Sequence, residues 1–200
     1  MKTNDIKIRE YIMVKNEVNH PSLKEVGCYD WNGELAYTDE IHRMLKEVFL
    51  IDKLTTETSY VVAFDHAKKP KGVCKIGQGN PNETMTSMEN VFTFLLLTGA
   101  YSFILAHNHV SEMPEASISD QIVSTKASAT ANMFNMEFIG HMIVHPNGYI
   151  IDGGVMNGTE TDKRNDDLPY EILPNGKAIA YVFGQKIEAE IDVIKNILGV

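Results

Sequence analysis

Two histidines flank one residue in His107-Asn108-His109, and Ser117 and Asp120 follow a short way on, which gathers two imidazoles, a hydroxyl and a carboxylate along one stretch of chain. Residues i and i+2 at the end of a strand point to the same face, so His107 and His109 can offer nitrogens to one ion, at ~2.0–2.1 Å for zinc. Asp120, one turn into a following helix, is favoured there by the helix dipole and supplies a third ligand from a separate element. Three protein ligands leave a fourth position for water, the pattern of a catalytic zinc site. Ser117 at the helix cap is placed to bond the backbone, an oxyanion formed on attack, or both in turn. The competing structural reading is a helix cap beside two ordinary histidines. An apolar strand before the histidines and a capped carboxylate after them favour the metal. His20, His42, His66, His141 and His145 lack such partners in the sequence and are read as structural.

Several elements must position these groups. Tyr101 to Ala106 has strand length and apolar residues on both faces, as a central strand covered by helices requires. Ser117-Ile-Ser-Asp120 has capping-box character and predicts a helix to about Phe134, packed through Ile122, Val123, Ala127 and Met133. Thr86-Ser-Met-Glu89 predicts another capped helix, from about Ser87 to a stop at Gly99. Upstream, Thr38 is expected to cap a helix with an apolar stripe of Ile41, Leu45, Val48, Phe49 and Leu50, ending near Asp52 to Leu54. Tyr60–Phe64 and Gly72–Ile76 read as one hairpin, and Phe138–His145 with Tyr149–Asp152 as a second. Ile6–Val14 suggests a strand, Asp152–Asp167 a surface loop, and Lys186–Leu198 a terminal helix carrying Ile187, Ile191, Ile194 and Ile197. The order predicts an α/β fold, a mixed β-sheet sandwiched by helices.

A chain of 200 residues with 44% hydrophobic content supports one core. The formal charge of −9 opposes direct nucleic-acid binding. Cys28 and Cys74 form neither a C-x-x-C pair nor a disulfide framework and read as free thiols in a reducing compartment. The polar start Met1–Ile6 has no signal-peptide core, and the run Val91–Ala106 falls short of the ~18 apolar residues of a membrane span. A cytoplasmic protein without a membrane segment is expected.

His107-x-His109, Ser117 and Asp120 together resemble the motif of the JAB/JAMM (MPN) metalloproteases, and Ile104-Leu-Ala-His-Asn-His109 is similar to the RadC branch in particular. The family's remaining member is an upstream glutamate that begins a strand. Glu57-Thr-Ser-Tyr-Val-Val-Ala-Phe-Asp65 is similar in phase and distance, and the resemblance implies Glu57 as the candidate general base. Gly140-His-Met-Ile-Val144 and Gly148-Tyr-Ile150 also resemble that branch, so the likeness runs from about Glu57 to Asp152. It implies a cytidine-deaminase-like JAB/MPN architecture over residues 37–152, with an N-terminal extension, 1–36, packed on it and a linker and C-terminal extension, 153–200. No helix-hairpin-helix module of the kind that often precedes a RadC domain is evident. Two departures stand out. Val110-Ser-Glu-Met-Pro114 replaces the usual Pro-Ser-Gly-Asp-Pro, adding the charge of Glu112, and Gly140 stands where Asp is common and a ligand's hydrogen-bond partner would be lost.

The resemblance implies a zinc-dependent hydrolase acting on a peptide or isopeptide bond of a peptide or protein substrate. Zn2+ held by His107, His109 and Asp120 would bring the pKa of its water toward ~7, Glu57 would carry the proton, and Ser117 would steady the oxyanion. A second reading is a catalytically weak binding module in DNA repair or processing, motivated by the altered 110–113 loop. A third, an HNH-type nuclease, conflicts with the acidic composition.

Overall fold

The structure, a computed structural model, describes residues 5–79, 86–110, 115–153, 171–172, 177–182, 185–190 and 192–193. The altered loop at 111–114, with Glu112, and most of the expected loop to Asp167 lie outside the described residues. Two strands open the chain, β1 (Asp5–Lys15) and β2 (Pro21–Asn32), followed by α1 (Thr38–Phe49) and a 3-10 turn, Ile51–Lys53. The hairpin β3 (Thr58–Phe64) and β4 (Pro70–Gln78) leads to α2 (Met88–Thr98), then β5 (Ser102–Asn108) and α3 (Ile118–Met133). A second hairpin, β6 (Glu137–His145) and β7 (Gly148–Asp152), completes a seven-stranded sheet of order β2-β1-β4-β3-β5-β6-β7. The sheet is mixed: β1 runs parallel to β4 and β5 parallel to β6, while the other neighbours are antiparallel. The α/β class expected from the sequence is the class observed.

Strand alternation sorts the core into two layers. Tyr60, Val62, Phe64, Ile104, Ala106, Met142 and Val144 pack with Ile41, Met44 and Leu45 of α1 on one face. Val61, Ala63, Phe103 and Leu105 pack on the other with Val91, Phe94 and Leu95 of α2 and Ala127 and Ala131 of α3. Burial of a Phe or Leu side chain contributes about 1.5–3 kcal/mol, so this double cover holds β5, like its neighbour β3, firmly enough to mount a site. The N-terminal strands join the same sheet, with Ile8 and Trp31 buried in the α1 layer.

Several local expectations change. Tyr37, not Thr38, is the N-cap of α1 and makes no side-chain cap; the Thr38 hydroxyl lies 3.0 Å from the Tyr149 hydroxyl instead. Leu50 adopts φ 53° as the C-cap and is 48% exposed, so it leaves the apolar stripe, and the α-helix stops before the Ile51–Lys53 turn. Ser87 caps α2 through the Asn90 amide, while Thr86 pairs with Ser59 at 2.9 Å. Gly99, at φ 61°, ends α2 as read from the sequence. Met133 is 71% exposed, because α3 buries a stripe of small residues, Ser124, Ala127, Ala129 and Ala131.

Near the C-terminus the chain forms a three-stranded sheet from β8 (Glu171–Ile172), β9 (Lys177–Val182) and β10 (Gln185–Glu190). Residues 186–190 are therefore strand rather than helix, and Ile191, Ile194 and Ile197 lie outside the described residues.

Candidate metal centre

β5 delivers its odd-numbered side chains to the α2/α3 face, so His107 follows Phe103 and Leu105 beneath α3. His109 continues the ladder for one further bond, its amide donating to Val144 O at 2.8 Å, which holds the second imidazole on the same side. The ring centroids of the two histidines are 4.9 Å apart. α3 begins opposite them. Ser117 caps it in a reciprocal box, its hydroxyl accepting from the Asp120 amide while its own amide donates to the Asp120 carboxylate. That box fixes Asp120 with Oδ1 3.2 Å from His107 Nε2 and Oδ2 3.2 Å from His109 Nε2. The three residues thus offer one ligand atom each within a 4.8 Å cluster.

These residues fit a divalent ion. Ligands at ~2.0–2.1 Å from zinc in a tetrahedron lie about 3.4 Å from one another, close to the two carboxylate–imidazole separations. His107 Nε2 is buried and makes no hydrogen bond, although Asp120 Oδ1 is so near. The atom is aimed at space shared with the carboxylate rather than along a donor–acceptor line, which suits a lone pair waiting for a cation. Two imidazoles and a carboxylate are also a donor set that zinc accepts.

Behind the ligands lies a partner that the sequence reading set aside as structural. His141 Nε2 is 2.8 Å from His107 Nδ1, and its Nδ1 is 3.1 Å from Ser124 Oγ, which donates to the Asp120 carbonyl at 3.0 Å. One proton arrangement satisfies the whole chain: His107 Nδ1–H to His141, His141 Nδ1–H to Ser124, and Ser124 O–H to Asp120. It leaves His107 Nε2 unprotonated toward the cleft. Burial pushes the His107 imidazole down to about 3, aided by the His141 charge and opposed by Asp120. His141 is likewise lowered by burial, to about 4. Both rings are neutral at pH 7, as ligation demands. Burial alone would raise the Asp120 carboxyl, but bonds from His109 and Ser117 and the nearby His107 hold it below the usual carboxylate range.

A bulge explains how His141 arrives. Phe138 faces the α2/α3 layer and Ile139 the α1 layer, and the register against β5 then shifts, with Ile104 opposite Gly140. The extra residue resets the alternation, so His141 points to the His107 side and Met142 to the α1 core. Gly140 has φ 151°, and a Cβ there would stand 2.5 Å from Ile151 Cγ2. The departure from Asp at this position therefore belongs to close packing against β7, and the expected loss of a supporting partner is made good by His141. Strict alternation from Phe138 puts His141 on the wrong face, and the only sequence signal against it was the glycine within a strand.

Glu57 lies immediately before β3, half-buried, and lines the same cleft as Thr86, His107, His109, Ser117, Ser119, Asp120 and Val123. It is not among the clustered ligand atoms. Ser117 Oγ donates to Asp120 Oδ2 at 2.6 Å. Every residue singled out for the site thus meets at one cleft at the end of β5. Cys28 and Cys74 are free thiols. Among the described residues no helix is long and apolar enough to cross a membrane.

The family model of the RadC-like JAB domain matches residues 36–151, more than half of the chain, and the chain belongs to that family. A UPF0758 protein of Clostridium perfringens is 26% identical over 112 residues, covering 56% of this chain and 45% of the relative. One from Desulfitobacterium hafniense is also 26% identical over 112 residues, covering 56% and 48%. One from Pasteurella multocida is 35% identical over 66 residues, covering 33% and 30%. The chain spans less than half the length of these relatives.

Proposed function

We propose that the chain is a zinc-dependent hydrolase that cleaves a peptide or isopeptide bond in a peptide or protein substrate. The observation that carries this reading is the convergence of His107, His109 and Asp120 with a buried, unbonded His107 Nε2, in a cleft that also holds Glu57. A zinc ion on those three ligands would supply an acidified water and a Lewis acid for the scissile carbonyl. Glu57 takes the proton of the attacking water and returns it to the leaving amine. Ser117 turns its hydroxyl from Asp120 toward the developing oxyanion while its amide keeps hold of the carboxylate. Asp120, fixed by the α3 cap, keeps the ligand set in place, and His141 keeps His107 in the tautomer that binds. Free Cys28 and Cys74 support a reducing, cytoplasmic setting.

The test is metal analysis of the purified chain with a panel of peptide and isopeptide substrates, on wild type and Glu57→Gln. One zinc per chain is expected in both, with hydrolysis in the wild type and about 10²–10⁴-fold less in the variant. A folded chain that refuses zinc at micromolar concentration sinks the proposal. Zinc without hydrolysis of any substrate would instead favour the binding-module reading.

A further inference from the structure

The residue between the two histidine ligands has its own task. Asn108 is the last residue of β5 and 2% exposed, and as the even member of the triplet it turns away from the metal face. Its side chain reaches the chain segment between the Ile51–Lys53 turn and β3. Asn108 Oδ1 accepts from the Thr58 amide at 2.9 Å, and Nδ2 donates to Thr56 O at 3.2 Å and Leu54 O at 3.4 Å. These peptide groups lie on either side of Glu57. The Glu57 carbonyl is tied separately, accepting from the Gly79 amide at 2.9 Å, and the Thr56 hydroxyl accepts from Gln78 Nε2 at 3.2 Å.

We propose that Asn108 is the positioning residue for Glu57, setting the carboxylate's distance from the metal ligands by clamping the backbone on both sides of it. A carboxamide is the one short side chain that can accept from one peptide and donate twice to others; Asp lacks the donors and Ser or Thr has a single one. The triplet therefore couples two tasks by strand alternation: the imidazoles face the ion, and the amide between them holds the base. The inference rests on the reading of Glu57 as the proton carrier and goes beyond it by naming what places that group.

The test uses the zinc-loaded full chain and acetohydroxamate, a metal-chelating acid that delivers its proton to a neighbouring carboxylate, titrated by calorimetry at pH 7. Asn108→Ala and Glu57→Gln should each weaken the probe by about tenfold or more. The double variant should be no weaker than Glu57→Gln alone, and the zinc affinity of Asn108→Ala should stay within about threefold of wild type, since no ligand has moved. Asn108→Thr, which keeps a hydroxyl in the same space, should fall between Ala and wild type and serves if Asn108→Ala does not fold. Wild-type probe binding in Asn108→Ala or Asn108→Thr, with Glu57→Gln weakened, overturns the positioning role, as do fully additive losses in the double variant. If Glu57→Gln binds the probe as tightly as wild type, the proton-carrier reading fails first and this inference with it.

Discussion

His141 donates nothing to the cleft itself; its whole contribution is two hydrogen bonds, at 2.8 Å to His107 and 3.1 Å to Ser124. Such partners fix the tautomer and orientation of a ligating imidazole, and their loss weakens metal affinity by about 10–100-fold. His141→Gln is therefore expected to bind zinc that much less tightly, measured by competition with a chelator, while His109→Ala loses the site outright. The group that could hold a metal was legible in the sequence because its arrangement is local: two imidazoles one residue apart and a capping-box carboxylate close behind. Glu57 is remote along the chain, and only its resemblance to a known motif marked it. His141 was not legible, because its direction depends on a bulge that periodicity does not announce.

Helices and strands were recognised by pattern, but their ends were decided by tertiary partners. Thr86 and Ser87 both suit a cap; Ser87 takes it, and the Thr86 hydroxyl pairs instead with the Ser59 hydroxyl of β3. Ser87→Ala should destabilise the protein by about 1 kcal/mol, within the 0.5–2 range of lost caps, seen as a lower urea midpoint at unchanged slope. Thr86→Ala should leave the N-terminus of α2 as protected from amide exchange as in wild type, since it removes no cap. The C-terminal misreading has a similar origin. Ile187, Ile191, Ile194 and Ile197 are spaced for a helix, yet Lys186-Ile-Glu-Ala-Glu190 also alternates, and pairing with β9 selects that second period.

Across the whole molecule, the ion would join the end of the central strand to the helix that follows, so loading and folding are linked. Zinc at one hundred times its dissociation constant adds about 2.7 kcal/mol, a rise of about 5–10 °C in melting temperature for a chain of this size. Without metal, the buried imidazoles give a pH dependence of definite sign. In the folded chain His107 and His141 are depressed to about 3 and 4, whereas unfolded histidines protonate near ~6.5. Between those values the unfolded chain binds more protons, so stability is complete above about pH 6.5 and declines as the pH falls toward about 4. Urea midpoints in chelator should be lower at pH 5 than at pH 7.5. A midpoint unchanged or higher at pH 5 would contradict the burial of those rings.

The alternation in β5 also bears on how such a gene can drift. Adding or deleting a single codon between Ser102 and His109 would exchange inner and outer faces, sending both imidazoles into the oily layer under α1 and the amide toward Asp120 and the cleft. The His107–His109–Asp120 grouping and the Asn108 hydrogen bonds would be lost in one step. Length variation among descendants of this chain should therefore gather outside that strand, and an in-frame insertion scan read by survival of a folded, zinc-loaded product would map the forbidden interval directly.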